Sequence, residues 1–294
     1  MKIDWSGRSV ETPELTINYA RAGKGAPIVF LHGWPEFNRT WLHNMPVLAD
    51  RYDCVAPDLR GFGRTVSKVP RPESGTPPQL LAKDLKDFAD ALGLQRFAIV
   101  SHDVGSFVAQ QFALAYPDSV SALFFFNCAY PGIGKRWGDF RHFPETWYQQ
   151  FHQKELAAAL VGSSRDAARI YFRYFLRHWS HQKEAFTPYL EEWVDNFLRP
   201  GNLQGGFDWY IGVARFRARM MQEGALTVPK IAAPTHFLWG AHDPVLRYDF
   251  SDGLDEYFAD FTLERADEGG HFAHFEVPEL ANQRMTKFFG KVLA

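Results

Sequence analysis

The chain has 294 residues, of which 46% are hydrophobic, and its formal net charge is -2. This length allows a sizeable core and lies near the upper limit for a single one, so we expect one domain with an insertion. The near-neutral charge excludes a global field that would favour nucleic acid or an anionic membrane. No apolar run approaches the roughly 20 residues of a membrane helix, and the first residues lack a signal-peptide pattern, so we expect a cytoplasmic protein.

In the first half of the chain, short apolar runs alternate with longer helical patterns. The runs that we predict as strands are LTINYA, PIVFLH, DCVAP, FAIVSH and VSALFFFN. Between them, PPQLLAKDLKDFADALGL and GSFVAQQFALAYP carry apolar residues at helical spacing. This alternation predicts an α/β fold with a mostly parallel central sheet that is covered by helices on both faces.

The pattern changes after CAYPG, because no convincing strand follows from about Pro131 to Thr227. The segments that we predict as helices there are ETWYQQFHQKELAAAL, SRDAARIYFRYFLRHW, PYLEEWVDNFL and LQGGFDWYIGVARFRARMM. PTHFLWG and FTLERAD then restore strand character, and VPELANQRMTKFFGKVL predicts a closing amphipathic helix. We therefore expect a sheet domain of residues 1–130 and 228–294, interrupted by an all-helical cap domain of residues 131–227.

The segment FAIVSHDVGSFVAQQ carries the strongest chemical signal. A buried strand ends at Ser101 and a helix begins almost at once, with Asp103 in the central position of a small-x-nucleophile-x-small turn that Ser101 and Gly105 complete. Such a turn exposes the Asp103 side chain above the sheet, where the helix N-terminus and the backbone N–H of Val104 favour negative charge. An ordinary helix N-cap aspartate is the alternative interpretation.

Three further motifs follow strands in the order that a catalytic triad requires. FLHGWPEFNRTW places Trp34 after His-Gly, where its backbone N–H can join that of Val104 in an oxyanion hole. HFLWGAHDPVL places Asp243 after a late strand, and DEGGHFAHF places His271 after the last strand. We predict that Asp103 is the nucleophile and His271 the general base, with Asp243 orienting the histidine.

The motifs HGWPE, APDLRGFGRT, SHDVGS and GGHF resemble those of the α/β-hydrolase superfamily, and within it the epoxide hydrolase and dehalogenase branch. The resemblance covers essentially the whole chain, and its most specific parts are HGWPE and the aspartate-centred turn. It implies an α/β-hydrolase fold and a hydrolase that acts through an alkyl ester of Asp103. It implies no cofactor and no metal, because the fold explains His32, His102 and His271 without a ligand set.

The leaving group distinguishes the two activities of this branch. An epoxide oxygen needs an acidic donor, and in epoxide hydrolases two lid tyrosines supply it. FDWYIGVARF resembles one of the tyrosine segments and points to Tyr210; ETWYQQFHQ resembles the other and points to Tyr148, or to Trp147 if the register shifts by one. The expected substrate pocket is aromatic, which suits a mainly apolar small molecule. Its predicted residues are Trp34, Phe37, Trp147, Trp209 and Phe272.

Halide release needs N–H donors around a small anion instead. Haloalkane dehalogenases usually have Asn and Trp where this chain has Trp34 and Val104, and haloacetate dehalogenases have arginines where it has Val104 and Phe107. Epoxide hydrolysis to a vicinal diol is therefore our preferred prediction, and hydrolytic dehalogenation is the alternative. A non-catalytic ligand-binding protein is a third possibility, which the intact triad disfavours. We expect a monomer or a homodimer.

Overall fold

The computed structural model describes residues 3–5 and 7–293, and its strands form one sheet. The strands are β1 (Arg8–Glu11), β2 (Leu15–Ala22), β3 (Pro27–Leu31), β4 (Asp53–Pro57), β5 (Val66–Ser67), β6 (Phe97–His102), β7 (Val120–Phe126), β8 (Thr235–Gly240) and β9 (Phe261–Ala266). Their order is β1-β2-β4-β3-β6-β7-β8-β9, with β5 paired beside β2. All seven predicted strands are present, whereas β1 and the two-residue β5 were not predicted.

Parallel pairing joins β4, β3, β6, β7, β8 and β9, and β1 and β2 add an antiparallel edge. The predicted mostly parallel sheet is therefore confirmed. Except for the edge strand β9, the parallel strands are buried on both faces, which explains why their sequences are largely apolar rather than alternating.

Within the described residues, ten α-helices connect or cover the strands. They are α1 (Met45–Leu48), α2 (Pro78–Ala91), α3 (Val104–Ala115), α4 (Phe143–Phe151), α5 (Glu155–Val161), α6 (Arg165–His178), α7 (Leu190–Phe197), α8 (Asn202–Glu223), α9 (Ala273–Glu276) and α10 (Pro278–Val292). Short 3-10 helices occur at Asn38–Trp41, Pro117–Ser119, Pro131–Gly138, Phe140–His142, Thr187–Tyr189 and Tyr248–Glu256.

The helices between β7 and β8, from Pro131–Gly138 to α8, form an all-helical insertion that we call the cap. The inserted helical cap is thus confirmed, while its treatment as a separate domain of residues 131–227 stays a prediction. One expected helix, ETWYQQFHQKELAAAL, is divided into α4 and α5. The His152 ring is buried against Phe207, with ring centroids 4.0 Å apart, and Lys154 adopts an extended backbone before α5 begins. Tertiary packing here overrides the local helical pattern.

Alternate residues of each central strand face two different hydrophobic clusters. In β6, Ile99 packs with the cluster that includes α2, α3 and the cap, whereas Val100 packs with the cluster that includes α1 and α10. The sheet is therefore covered on both faces.

The order in which strands are added to the sheet reverses at β3, and the candidate site lies at this point. From β3 the chain proceeds to β4 on one side and later to β6 on the other, so the loops that follow β3 and β6 diverge above the sheet. Leu31 of β3 pairs with Ser101 of β6, which brings the two loops side by side. A crevice at the carboxyl ends of strands, at such a switch point, is where open α/β sheets bind ligands.

Candidate active site

Asp103 occupies the sharp turn between β6 and α3. Its backbone lies at φ 46° and ψ -111°, a conformation that costs a non-glycine residue about 1–3 kcal/mol. Two glycines, Gly105 in the turn and Gly33 in the loop after β3, are required by close approach. A Cβ on Gly105 would lie 2.4 Å from the Leu31 carbonyl oxygen, and one on Gly33 would lie 2.6 Å from the Asp103 Cβ. The turn therefore has the strained, closely packed geometry of a nucleophile elbow.

The carboxylate of Asp103 lies between the β3 loop and the loop after β9. Its Oδ1 accepts a hydrogen bond of 3.0 Å from the backbone N–H of Trp34. Its Oδ2 lies 3.9 Å from Nε2 of His271, and 18% of the side chain is exposed. The adjacent Val104 begins α3, so its N–H belongs to the helix N-terminus. The three residues predicted beside the nucleophile, Trp34, Val104 and His271, thus come together.

Asp243, which follows β8, holds the other side of the histidine ring. Its Oδ2 lies 2.7 Å from Nδ1 of His271, and its Oδ1 accepts N–H bonds of 2.7 Å from Val245 and 2.9 Å from Leu246. Burial raises the pKa of Asp243, but the His271 ring and these two N–H groups more than offset that and lower it. Asp243 is therefore an ionised acceptor, and it fixes the proton of His271 on Nδ1.

His271 is fully buried, and its Nε2 has no hydrogen-bond partner among the described residues. Burial lowers the pKa of its ring, but the carboxylates of Asp243, Asp103 and Glu36 outweigh this and raise the pKa to about 9. The ring therefore carries a positive charge at neutral pH as long as these carboxylates are ionised. Removal of the charge on Asp103 would release the proton from Nε2 more readily.

Asn127 is a site residue that the sequence reasoning missed. It follows β7 at φ 43°, and its Nδ2 donates a 2.7 Å hydrogen bond to the same Asp243 oxygen that contacts His271. Its Oδ1 accepts the backbone N–H of Gly240 at 3.1 Å, which ties the ends of β7 and β8 together. The available signal was a polar residue at the carboxyl end of the buried run VSALFFFN.

Two tyrosines of the cap pack against Trp34 in the loop after β3. Tyr148 of α4 and Tyr210 of α8 are both buried, and their ring centroids lie 5.4 Å apart. The Trp34 ring stacks on Tyr148 at 5.5 Å and 9°, and it meets Tyr210 edge-on at 5.6 Å. Because the backbone of Trp34 donates to Asp103, the two phenols belong to one contiguous group with that carboxylate.

Both phenols carry their protons at neutral pH. Burial is the main cause that raises the pKa of Tyr148 and of Tyr210, and the negative charge of Asp103 raises both further. The guanidinium of Arg217 acts in the opposite direction on both pKa values. It donates to Gln149 Oε1 at 2.7 Å, and Gln149 Nε2 donates to the Tyr148 oxygen at 3.2 Å.

The remaining predicted pocket residues occupy different surroundings. Phe272 is buried against His271, with ring centroids 4.9 Å apart. Phe37 is buried against Trp193 of the cap, and Trp209 is buried against Phe107. Trp147 is not brought into the group, because its side chain is 44% exposed on the outer face of α4.

The loop after β9, which carries His271, is bonded directly to the cap. The backbone N–H of His271 donates to the Trp179 carbonyl oxygen at 2.9 Å. The buried carboxylate of Glu276 accepts the N–H groups of His181 and Gln182 from the cap and those of Gly270 and Phe272 from the loop, at 2.6–3.2 Å. Sequence reasoning did not single out Glu276.

A second buried carboxylate, Glu36, lies near the two histidines His102 and His274. Their ligand-type atoms lie within 4.8 Å of one another, which is the spacing of a metal-binding group. The three side chains are hydrogen-bonded to each other or to neighbouring groups.

No helix in the described part of the chain is long and apolar enough to cross a membrane.

Comparison with known proteins connects this geometry to a family. The soluble epoxide hydrolase of Corynebacterium sp. (strain C12) is 29% identical over 287 residues, which cover 93% of each chain. The solved structure of the epoxide hydrolase CorEH without ligand superposes with a TM-score of 0.85 at 26% identity, and the match covers 99% of both chains. A fluoroacetate dehalogenase of a Burkholderia species is 35% identical over 117 residues, which are 40% of this chain and 38% of that protein.

The sequence pattern of the alpha/beta hydrolase fold matches residues 26–278, which include every strand from β3 to β9 and all three residues of the predicted triad. The full-length similarities agree with this match in fold and in chain order. The chain therefore belongs to the alpha/beta hydrolase fold family, as its motifs predicted.

Proposed function

We propose that this hydrolase converts an epoxide to a vicinal diol through a covalent ester on Asp103. The observation that carries the proposal is the pair of buried phenols, Tyr148 and Tyr210, held against Trp34 while the backbone of Trp34 donates to the Asp103 carboxylate. A carboxylate nucleophile opposite two neutral O–H donors suits a strained ether, whose carbon is attacked while its oxygen needs a proton.

In the first step, Oδ2 of Asp103 attacks a ring carbon from the side opposite the breaking C–O bond. A tyrosine donates its proton to the departing oxygen, and the second tyrosine shares its negative charge through a hydrogen bond. Oδ1 stays in the hydrogen bond with the Trp34 N–H and becomes the carbonyl oxygen of the new ester. Asp103 needs no base for this step, because carboxylates are ionised at neutral pH.

In the second step, a water molecule attacks the Asp103 carbonyl carbon, and Nε2 of His271 removes its proton. The 3.9 Å between Nε2 and Oδ2 leaves room for a water that bridges both atoms. Esterification has by then removed the charge of Asp103, which is one of the three carboxylates that raise the pKa of His271. The base therefore becomes available when the ester exists. The oxyanion is held by the N–H groups of Trp34 and Val104. Its collapse breaks the ester C–O bond, and the departing alkoxide takes the proton of the newly formed Asp103 carboxyl group, which gives the diol and restores the carboxylate. The proton that His271 took from water returns to the tyrosinate left by the first step.

The direct test uses purified protein and styrene oxide, with diol measured by chromatography. The His271→Ala variant is then incubated with the same epoxide and analysed by intact mass spectrometry. We expect diol from the wild type and, in the variant, an adduct of the whole epoxide mass on the peptide that contains Asp103. Absence of both products with a series of epoxides would contradict the proposal.

Hydrolytic dehalogenation is the second candidate, favoured by the partial similarity to a fluoroacetate dehalogenase. It would use the same Asp103 ester but needs no proton donor at the leaving group. Incubation with bromoalkanes and with fluoroacetate, followed by halide measurement, separates the two. Halide release without diol formation would replace epoxide opening while retaining the nucleophile.

A further inference from the structure

The guanidinium of Arg217 lies beside the two phenols of the cap, and the two steps proposed above do not use it. Its central carbon lies 5.6 Å from the centre of the Tyr210 ring and 5.0 Å from that of the Trp137 ring. Its Nη1 donates to Oε1 of Gln149 at 2.7 Å, whereas its buried Nε has no hydrogen-bond partner among the described residues. These contacts are all with uncharged groups, and within the described residues Arg217 forms no ion pair. Its charge therefore acts on the phenols without a carboxylate that would cancel it.

His152 is another basic group in this aromatic cluster. Its ring centroid lies 4.6 Å from that of Tyr210 and 5.4 Å from that of Tyr148. Burial, and to a smaller extent the charge of Arg217, hold the pKa of His152 well below its ordinary value. The His152 ring is therefore neutral at pH 7, and the positive charge beside the phenols is that of Arg217.

The bond from Arg217 sets the orientation of the Gln149 side-chain amide. A guanidinium can only donate, so the amide oxygen faces Arg217. The amide nitrogen then faces the other way, and its N–H donates to the Tyr148 oxygen at 3.2 Å. An amide turned by half a rotation would bring its own N–H groups against those of the guanidinium, where neither side has an acceptor.

This orientation determines where the single proton of the Tyr148 hydroxyl can go. Because Gln149 presents an N–H, the Tyr148 oxygen accepts there, and its own proton remains available to the oxygen of a substrate. The opposite orientation would present the amide oxygen, and Tyr148 would donate its proton to Gln149 instead. After the proton has left, the same N–H binds a tyrosinate, and a hydrogen bond to a charged acceptor is roughly twice as strong as one to a neutral acceptor. The bond is therefore strongest while the ring opens, which is the condition for accelerating that step.

We propose that Arg217 and Gln149 are positioning residues that keep Tyr148 a proton donor and stabilise the tyrosinate that it becomes during ring opening. In that step an Asp103 oxygen bonds to carbon, the epoxide C–O bond breaks, and the Tyr148 proton moves to the epoxide oxygen. Arg217 acts on Tyr148 through the amide and on Tyr210 across the face of its ring. This kinetic role rests on the proposed function, whereas the orientation of the amide does not.

Nuclear magnetic resonance of the full chain, with ¹⁵N in its glutamine side chains, tests the amide orientation without a substrate. Gln149→Met assigns the amide signal by removing it. Tyr148→Phe should shift one of the two N–H protons of Gln149 upfield, because that proton loses its acceptor. Arg217→Met should free the amide and speed the exchange of both protons with water. Identical Gln149 signals in the wild type and in Tyr148→Phe would overturn the proposal.

Single-turnover kinetics with an epoxide test the role of the guanidinium. Arg217→Met keeps an apolar side chain but removes the charge and the donors. We expect ester formation to slow about 10-fold, a part of the 10²- to 10⁴-fold that a general acid contributes, and ester hydrolysis to stay unchanged. The matched control is Arg219→Met on the same helix, which removes an exposed arginine that pairs with Glu223. It should change both rates by less than about twofold. Equal slowing of both steps in Arg217→Met, or no slowing of ester formation, would contradict the proposal.

Gln149→Glu tests the direction of the hydrogen bond while keeping the shape of the side chain. The carboxylate can still accept from Arg217, but its second oxygen can only accept, so Tyr148 would donate its proton to that oxygen. We expect ester formation to slow about 10- to 100-fold, as far as in Tyr148→Phe, and the double variant to be no slower than either single variant. Ester formation at the wild-type rate would contradict the proposal. If the wild type opens no epoxide, the proposed function fails, and the amide signals still decide whether Arg217 and Gln149 hold Tyr148 as described.

Discussion

The two halves of the site are held by different forces. The residues from the sheet, Asp103, His271 and Asp243, follow parallel strands and are fixed by hydrogen bonds of 2.7–3.0 Å to backbone and side chains. The tyrosines from the cap are held mainly by aromatic packing, and the Tyr148 oxygen accepts one longer bond of 3.2 Å from Gln149.

This difference corresponds to a difference in chemistry. The sheet half carries charges, which need directional partners because a buried charge without them is costly. The cap half carries neutral phenols, whose burial in an aromatic cluster keeps them protonated. In the proposed mechanism the sheet half serves both steps and the cap half serves only ring opening. Substitutions in the sheet half should therefore stop turnover, and those in the cap should slow one step.

The largest effect is expected from Asp103→Asn. Asparagine tolerates the positive φ of this turn, so the fold should persist while the nucleophile is lost. We expect diol formation to fall by at least about 10⁴-fold, as for loss of other covalent nucleophiles. Chromatographic rate measurement with Tm as the folding control checks this. Retention of more than a hundredth of the activity would exclude Asp103 as the nucleophile.

Next in size is His271→Gln, which should separate the two steps. Ester formation continues without a base, so one equivalent of epoxide should be consumed in a rapid burst. Ester hydrolysis should then slow by about 10²- to 10⁴-fold, the usual contribution of a general base. Rapid-quench sampling with mass spectrometry measures both phases. A variant that shows no burst and no adduct would place His271 in the first step instead.

The phenols should give intermediate effects that are confined to ring opening. Tyr148→Phe and Tyr210→Phe each remove one donor and leave the other, so we expect ester formation to slow about 10- to 100-fold in each. The rate of ester hydrolysis should stay unchanged. Tyr174→Phe is the control, because that side chain is 44% exposed on α6. Equal slowing of both steps would indicate a packing defect rather than loss of an acid.

A smaller effect is expected on the pH dependence of stability. The folded-state pKa of His271 is raised to about 9, so protonation of this ring contributes stability that is complete below pH ~6.5 and is lost as pH rises through about 9. Asp103→Asn removes one of the three carboxylate charges that raise the pKa of His271. The free energy of unfolding of the variant should therefore decline less between pH 6.5 and 9, by about 1 kcal/mol. Urea titrations at pH 6, 7.5 and 9 measure this, and an identical decline would show that Asp103 does not affect the ring.

The smallest effect is expected at Trp147, which tests which residue of α4 faces the nucleophile. Its side chain is 44% exposed, so Trp147→Phe should change kcat by no more than about twofold. The neighbouring substitution Tyr148→Phe provides the contrast. A larger loss at Trp147 than at Tyr148 would reverse the assignment of the donor.

The sequence was most informative where function follows a buried strand. Asp103, Asp243 and His271 each follow such a strand, and the carboxyl ends of parallel strands meet at one edge, so their proximity could be predicted. The site residues of the cap were harder to predict, because neighbouring residues of an α-helix point in directions about 100° apart. That rotation left Trp147 and Tyr148 undecided until helix packing was known.

The buried supporting groups could not be predicted, although their residues lie in or beside quoted motifs. Glu36 is the last residue of HGWPE, His102 precedes the nucleophile, and Asn127 ends VSALFFFN. Each acts through partners far away along the chain, and the pattern around it shows only that it is polar near an apolar strand. The positive φ of Asn127 and the four donors around Glu36 exist only in the folded arrangement.

The bond between the His271 N–H and the Trp179 carbonyl has a consequence for how substrate enters. A cap that swung away from the sheet at Trp179 would break that bond and the bonds that Glu276 makes to the cap, and it would displace His271, the proposed base. The loop that carries the proposed base is thus also an attachment point of the cap. We expect substrate to enter where these bonds need not break, at the groove of about 730 Å³ that Trp147 and Met221 line between α4 and α8.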